Sequence, residues 1–412
     1  MPKIKFMQEL LFSPCKIGPI ALRNRTIRSA AFENMCYGNK PSQDLFDYHV
    51  SVAKGGIGMT TIAYASVNRS GVSFSGQLWM REDIIPELKK LTDAIRAEGA
   101  KAAIQLGHCG NMTHRSTAGQ LPVGASNGFN LYSPTFYRAL KEQEIYELVK
   151  DFGQAVHLAK KAGFDAVEIH AGHGYLISQF LSPYTNRRKD KFGGSLENRM
   201  RFMQLVIKEV LQAANNEIAV VVKMNMFDGF KSGMQINDCI KVAQELEKLG
   251  VDALVLSAGF VSRAPMDVMR GAMPFKTLTY YMDTAKFWWL KLGIRIAGRF
   301  MIPPVPYSEA YFLEDAKKFR KAVKLPLIYV GGMISRNKIE EVLNEDFIAV
   351  QIARALVHDP NFVNNLQNGQ QKSGCKHSNY CIGRMYTLEM KCHHCIDNLP
   401  KKIKKEIERA ER

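Results

Sequence analysis

The chain has 412 residues, 46% of them hydrophobic and 23% charged, and carries a formal net charge of +17. That supplies apolar material for one large core; the length is generous for a single α/β barrel and short for two enzyme domains. The run Ile218 to Val222 stops at Lys223, and no stretch approaches the ~20 apolar residues of a membrane helix, so a membrane-spanning protein is excluded. Lys and Arg are spread along the whole chain, and the densest run, Lys401 to Arg412, is interleaved with Glu406, Glu408 and Glu411. That pattern fits a solvated helix face and argues against a nucleic-acid partner, while a basic surface still favours anionic ligands such as a flavin phosphate or a nucleotide. The opening MPKIKFMQELLFSP lacks the long apolar core of a signal peptide, and a cytoplasmic location is expected.

The elements read as follows in chain order. A first strand is expected near Thr26–Ala30 and a second at Gly58–Ala65, followed by a helix at Ile85–Glu98. Then a theme repeats, in which a helical pattern ends at Gly, a short link follows, and an apolar strand begins. It occurs in AIRAEGAKAAIQL (94–106), LAKKAGFDAVEIH (158–170) and ELEKLGVDALVLS (245–257). Glycine suits such a stop because it alone enters the left-handed cap without steric cost, and a near-continuous apolar strand is what a parallel sheet covered by helices requires. Further strands are expected at Glu217–Met224, Leu325–Val330 and Phe347–Ile352. Helices are expected at Glu144–Ala162, Glu197–Ala213, Asn237–Leu249 and Ser308–Val323. Eight strands alternating with helices predict an α/β chain folded as a (β/α)8 TIM barrel over residues 1–365. A doubly wound sheet would need a G-x-G-x-x-G fingerprint, which is absent from the sequence. Two stretches exceed the minimal barrel: an insertion at 263–307 between strands six and seven, expected to cap the mouth, and a Cys-rich C-terminal tail at 366–412.

A TIM barrel carries its site at the C-terminal ends of its strands. The residues there are QLGHCG (105–110), HAGHGY (170–175), Lys223, Asn225, Ser257, Gly331-Gly332 and Arg354. His170 and His173 form an H-x-x-H pair. They fit a metal site, although no carboxylate stands at ligand spacing, and they equally fit a pair of donors to a substrate oxygen, with Tyr175 as proton source. Gly331-Gly332 lets backbone approach an anion, Ser335 is positioned to cap the next helix, and Arg354 adds a cation, which together suit a monophosphate. Gly193-Gly194-Ser195 reads as a turn with Ser195 capping a helix. Arg187, Asp190, Glu197 and Arg199 read as an ionic tie.

The stretch EIHAGHGYLISQFLSPYTNRRKDKFGGSLENRMRF (168–202) closely resembles the old yellow enzyme family. LFSPCKIGPIALRNR (11–25), the QLGHCG segment and PLIYVGGMISR…VQIARALVHDPNF (326–363) match it in the same order. The resemblance implies FMN at the barrel mouth, hydride from NADH or NADPH, and reduction of an activated C=C bond in a small-molecule substrate. It implies that His170 and His173 bind the substrate carbonyl, that Tyr175 donates the proton, and that Gln105 and Lys223 contact the flavin ring. It puts Gly331, Gly332 and Arg354 at the flavin phosphate. Two departures stand out. Phe32 occupies the place of a small polar residue over the flavin, and Asn111 that of an arginine.

Of eight cysteines, Cys15, Cys36, Cys109 and Cys239 are scattered, whereas Cys375, Cys381, Cys392 and Cys395 crowd into the tail. The dienoyl-CoA reductase-like branch of the same family binds a [4Fe–4S] cluster there, but Ser378 stands where one ligand is expected and the spacing is short. Zinc on the four cysteines, with His377, His393 or His394 as alternates, is a second expectation, and free thiols a third. That branch also carries extra flavin and nucleotide domains, for which only 17 residues remain after Cys395. Three other functions stay open: an iron–sulfur flavoprotein passing electrons to a partner, a metal-dependent barrel hydrolase, and a binding protein without turnover. A homo-oligomer is compatible with the sequence.

Overall fold

A computed structural model describes residues 9–131, 133–282, 284–396 and 399–410. The stretch before residue 9, and Glu411 and Arg412 of the basic tail run, lie outside the described residues.

Eight strands form the barrel: β1 (Thr26–Arg28), β2 (Met59–Ser66), β3 (Lys101–Gly107), β4 (Ala166–Ala171), β5 (Ala219–Asn225), β6 (Ala253–Ser257), β7 (Leu327–Val330) and β8 (Ala349–Ile352). Each pairs in parallel with the next, and β8 closes onto β1. The expected strands fall within about two residues of these. Gly99, Gly163 and Gly250 end the preceding helices with φ of 78°, 79° and 86°, the left-handed geometry the sequence pattern called for.

The strands are buried on both sides, which is why they read as continuous apolar runs. Outside, they pack on helices Ile85–Ala97, Glu142–Lys161, Leu196–Ala214, Ile236–Leu249, Leu313–Ala322 and Arg336–Asn344. Inside, small and branched side chains such as Ala103, Ala166, Ala219, Ala253 and Ala349 fill the lower barrel. An N-terminal hairpin, Cys15–Ile17 against Ile20–Leu22, joins that inner cluster and plugs the lower end. Only the upper mouth, where the strands end, is left for chemistry.

Between β6 and β7 the chain forms helices Pro265–Met269, Phe275–Tyr281 and Thr284–Met301 before the outer helix begins at Leu313, later than the expected Ser308. After β8 come helices Arg354–His358, Phe362–Gln367, Tyr380–Met385 and Lys401–Ala410. The tail packs on the insertion through a small cluster of Tyr380, Ile403 and Ile407 against Tyr281. Among the described residues no helix is long and apolar enough to cross a membrane.

Ser195 caps its helix, accepting a hydrogen bond from the Asn198 backbone N–H at 3.3 Å. The expected four-residue ionic tie does not form. Arg188, not Arg187, pairs with Asp190 at 2.6 Å. Arg187 donates to the Asn127 carbonyl, and Arg199 donates to the carbonyls of Leu181 and Gly194, each at 2.7 Å. Those carbonyls sit at loop and helix ends, where an arginine fork satisfies backbone groups that have no ladder partner.

Candidate active site

The chemistry-bearing side chains rise from the upper ends of neighbouring strands. β4 carries Glu168 and His170, and β5 carries Lys223 and Asn225. Val221 lies beside Glu168 and Lys223 beside His170 in the register. Glu168 and Lys223 are both buried and pair at 2.9 Å. Glu168 also accepts from Gln105 Nε2 at 2.7 Å and from Gln351 Nε2 at 2.6 Å. Ser29, just past β1, donates to Gln351 Oε1 at 2.9 Å and accepts from Lys223 Nζ at 3.4 Å. Five strand ends are thus joined by one polar network in a dry place, where an unpaired charge would be costly. Burial pulls the Lys223 ammonium below its ordinary pKa, and Glu168 offsets part of that pull.

His173, Lys223, Gly331, Gly332 and Arg354 line a single cavity, together with Ser29, Ala30, Ala31 and Ser257. Of the expected flavin contacts, Gln105 stands apart. It is 3% exposed and not among the residues lining the cavity, its amide turned to Glu168. His170 and Tyr175 stand beside the cavity as an aromatic cluster. The His170 ring lies 5.1 Å from the His173 ring and 4.7 Å from Tyr175, and Tyr64 is 5.2 Å from Tyr175. Tyr64 itself is held by the Ser73 hydroxyl. His173 takes a left-handed backbone, φ 58°, rare for a non-glycine residue. Its N–H donates to Asn225 Oδ1 at 2.9 Å, and its Nε2 hydrogen-bonds with Ser257 Oγ at 2.7 Å. Asn225 in turn donates to Asp228 and to the Gly259 carbonyl. The turn that aims the imidazole is therefore clamped from β5 and β6.

Burial lowers the pKa of both histidines. His173 falls to about 3, with Lys223 adding to the effect, and His170 falls well below its ordinary value, helped by His173 and Lys223. Both are neutral imidazoles at neutral pH, each with one N–H to donate. Burial raises Tyr175, which stays protonated.

The other end of the cavity is built from backbone. Gly331 and Gly332 have φ of 133° and 73°. A Cβ on Gly332 would come 2.8 Å from the Ser308 carbonyl and 2.9 Å from the Ala310 nitrogen, so only glycine fits. Ser335 does not cap the next helix as expected. Its hydroxyl donates to Glu309, whose carboxylate also pairs with Lys372 at 2.8 Å. Arg354 donates to Asn379 Oδ1 at 2.5 Å. His377, from the tail, lines the same cavity and stacks on Tyr307 with centroids 3.7 Å apart. Its Nε2 is buried with no hydrogen-bond partner, a polar atom facing a place that a ligand oxygen would satisfy. The donor set suits FMN: backbone glycines, Arg354 and His377 at a phosphate end, and Lys223 at a ring end.

Phe32 is half-buried and stacks on Phe74 at 4.9 Å, which in turn meets Tyr386 of the tail at 5.6 Å. The cavity wall at this point is made by Ser29, Ala30 and Ala31 instead. Asn111 accepts a hydrogen bond from the Gln179 amide and adds no cation at the mouth.

His377 also borders a second, outer cavity between insertion and tail. Lys276, Arg295, Arg299, Lys376, Lys402 and Lys405 line it, and among the described residues none of the six is paired with a carboxylate and no acidic side chain joins the lining. Like charges gathered without counter-charge favour an anion between them.

Glu168, Gln351 and Ser29 were missed from the sequence, and His377, read there as an alternate zinc ligand, lines the inner cavity instead. The signal for the first was a lone acid inside the apolar strand AVEIH, one strand before a lone lysine inside VVVKM.

Comparisons with known proteins agree with this architecture. The chain is 36% identical over 379 residues to the 4,4'-dithiodibutanoate disulfide reductase of Rhodococcus erythropolis, covering 92% of this chain and 93% of that protein. It is 31% identical to a metal reductase of Desulforamulus reducens over 94% of this chain, but spans only 53% of that longer protein. Among solved structures, a 2-naphthoyl-CoA reductase complex superposes with a TM-score of 0.79 at 25% identity, over 93% of this chain and 56% of that one. An old yellow enzyme homologue from Zymomonas mobilis superposes with a TM-score of 0.69 at 20% identity over 88% of this chain and 94% of that one, a likeness of fold. Residues 10–292 match the NADH:flavin oxidoreductase / NADH oxidase family, and with its barrel, its cavity and its full-length relative the chain belongs to that family.

Proposed function

We propose that the protein binds FMN in the inner cavity, takes hydride from NADH or NADPH, and reduces the activated C=C bond of an α,β-unsaturated carbonyl compound. The observation that carries the reading is one cavity with a buried lysine at one end, a glycine–arginine anion cradle at the other, and the clamped His173 on its wall, with His170 and a protonated Tyr175 packed beside it. Bound there, FMN would supply the hydride-transferring centre. Lys223, kept charged by Glu168, favours negative charge beside it. Gly331, Gly332 and Arg354 would hold its phosphate. His170 and His173 each give one N–H to the substrate carbonyl, drawing electron density from Cβ and stabilising charge that grows on the oxygen. Tyr175 keeps its proton for Cα. The outer cavity's six cations favour a substrate with an anionic end.

A second reading rests on the 36% identity to the dithiodibutanoate disulfide reductase over nearly the whole of both chains: the same site would reduce an organic disulfide, with Tyr175 protonating the leaving thiolate. Stopped-flow half-reactions of Tyr175→Phe test the proton-donor role. We expect oxidation of the reduced protein by an enone to slow by about 10²-fold or more, while reduction by NAD(P)H is unchanged. Equal slowing of both halves would overturn the role, and turnover of disulfides with no turnover of enones would select the second reading.

A further inference from the structure

Two of the tail cysteines stand, with a histidine from outside the tail, close enough together for a single metal ion. A [4Fe–4S] centre gives each of four irons its own thiolate, and Ser378 stands where one of those four is expected. Here the set of metal-ligand atoms that converges among the described residues is His358 Nδ1, Cys392 Sγ and Cys395 Sγ, all within 4.8 Å of one another. His358 Nδ1 lies 3.4 Å from each sulfur. The alternates read from the sequence stand outside this set: His377 stacks on Tyr307 and lines the inner cavity, His394 bonds with Ser378 Oγ at 3.0 Å, and His393 Nε2 bonds with Tyr281 at 3.2 Å. His358, outside the tail's sequence cluster, closes the set.

The distances match a mononuclear site. Zn–S bonds of about 2.3 Å and Zn–N bonds of about 2.0–2.1 Å at tetrahedral angles hold ligand N and S atoms about 3.5 Å apart. C-H-H-C (392–395) has the two-residue gap of a chelating cysteine pair. We propose that His358, Cys392 and Cys395 bind one zinc-class divalent cation, which fastens the tail to the end of the barrel.

The location gives the site a purpose. Helix Arg354–His358 begins at a residue lining the inner cavity and ends at the proposed ligand. On the tail, His377, Ile382 and Met390 line that same cavity. A backbone hydrogen bond from Met390 N–H to the Glu33 carbonyl, 2.8 Å, and one from Ser373 N–H to the Ile334 carbonyl, 2.8 Å, join this stretch to the barrel. A metal tie between His358 and Cys392–Cys395 would lock this wall in place, and its binding energy would add to folding.

The test is metal content and zinc affinity of the reduced, flavin-loaded protein, read by elemental analysis and competition with a chromophoric chelator. Flavin content and circular dichroism report whether each variant is folded. We expect one zinc per chain. His358→Ala, Cys392→Ser and Cys395→Ser should each weaken binding by more than the 10–100-fold typical of losing an outer-shell partner, while Cys381→Ser keeps it. Cobalt(II) in place of zinc should show thiolate charge-transfer absorption that Cys392→Ser and Cys395→Ser diminish. Four irons with acid-labile sulfide per chain, zinc affinity unchanged in a folded His358→Ala, or no divalent metal bound by the reduced protein would each overturn the proposal.

Discussion

Glu168→Gln removes the negative charge from the middle of the strand-end network while keeping its shape. Glu168 and Lys223 are 3% and 2% exposed, so solvent cannot take over the lost partner. Removing one member of such a pair typically costs about 3–5 kcal/mol, because the remaining charge is buried without compensation. Gln in place of Glu also sets its own amide N–H₂ against Gln105, Gln351 or Lys223, all donors toward this position. The loss should depend on pH. Burial already lowers Lys223 in the folded protein, and without Glu168 it falls further. Between that folded pKa and the unfolded value of ~10.4, the unfolded chain binds more protons, so stability rises with pH across the window and the penalty is fully felt below it. The double variant Glu168→Gln/Lys223→Met removes the orphaned charge and should recover much of the loss. Urea unfolding of wild type, both single variants and the double variant, with equal m-values, gives the cycle. Single losses that simply add in the double variant, or a Glu168→Gln loss below about 0.5 kcal/mol, would refute the reasoning.

His170→Ala and His173→Ala should each weaken binding of a phenolic ligand by about 10-fold, the worth of one hydrogen bond, with flavin retained; absorbance titration reads this, and unchanged affinity in both removes the carbonyl-clamp role. Gly332→Ala forces a Cβ to 2.8 Å from the Ser308 carbonyl at φ 73°, so it should cost about 1–3 kcal/mol and lower flavin retention on gel filtration; a variant that keeps both contradicts the cradle. Burial holds His108 and His173 to about 3, and His377 and His393 to about 4. The unfolded histidines take up protons near pH 6.5, so stability is full above that value and falls as pH drops toward 4, by up to about 1.4 kcal/mol per pH unit for each histidine. Chemical unfolding at pH 7.5, 6 and 5 measures the slope, and a flat profile would contradict the neutral burial of these rings.

The barrel was legible because its signals are local. A glycine that stops a helix and an apolar run that follows are read within a dozen residues, and strand register then follows from closure. The histidine pair and Tyr175 were legible for the same reason, since they share one turn after β4. What escaped depends on contacts far apart in sequence. Gln351 meets Glu168 across 183 positions, and His358 meets Cys392 and Cys395 across 34 and 37. The arginine tie failed because spacing shows that opposite charges are near but not that loop carbonyls compete for the same guanidinium groups. Ser335 was expected as a cap and went to Glu309, a residue of the turn before helix Leu313–Ala322 that no local pattern links to it.

The flavin proposed for this site would lie between Lys223 and Arg354. Its most direct test is the visible absorbance of the purified protein, before and after anaerobic NADH and then NADPH. Flavin bands that bleach with at least one reductant, and release of FMN on denaturation, are expected. A colourless protein that takes up no FMN on reconstitution would contradict the proposal.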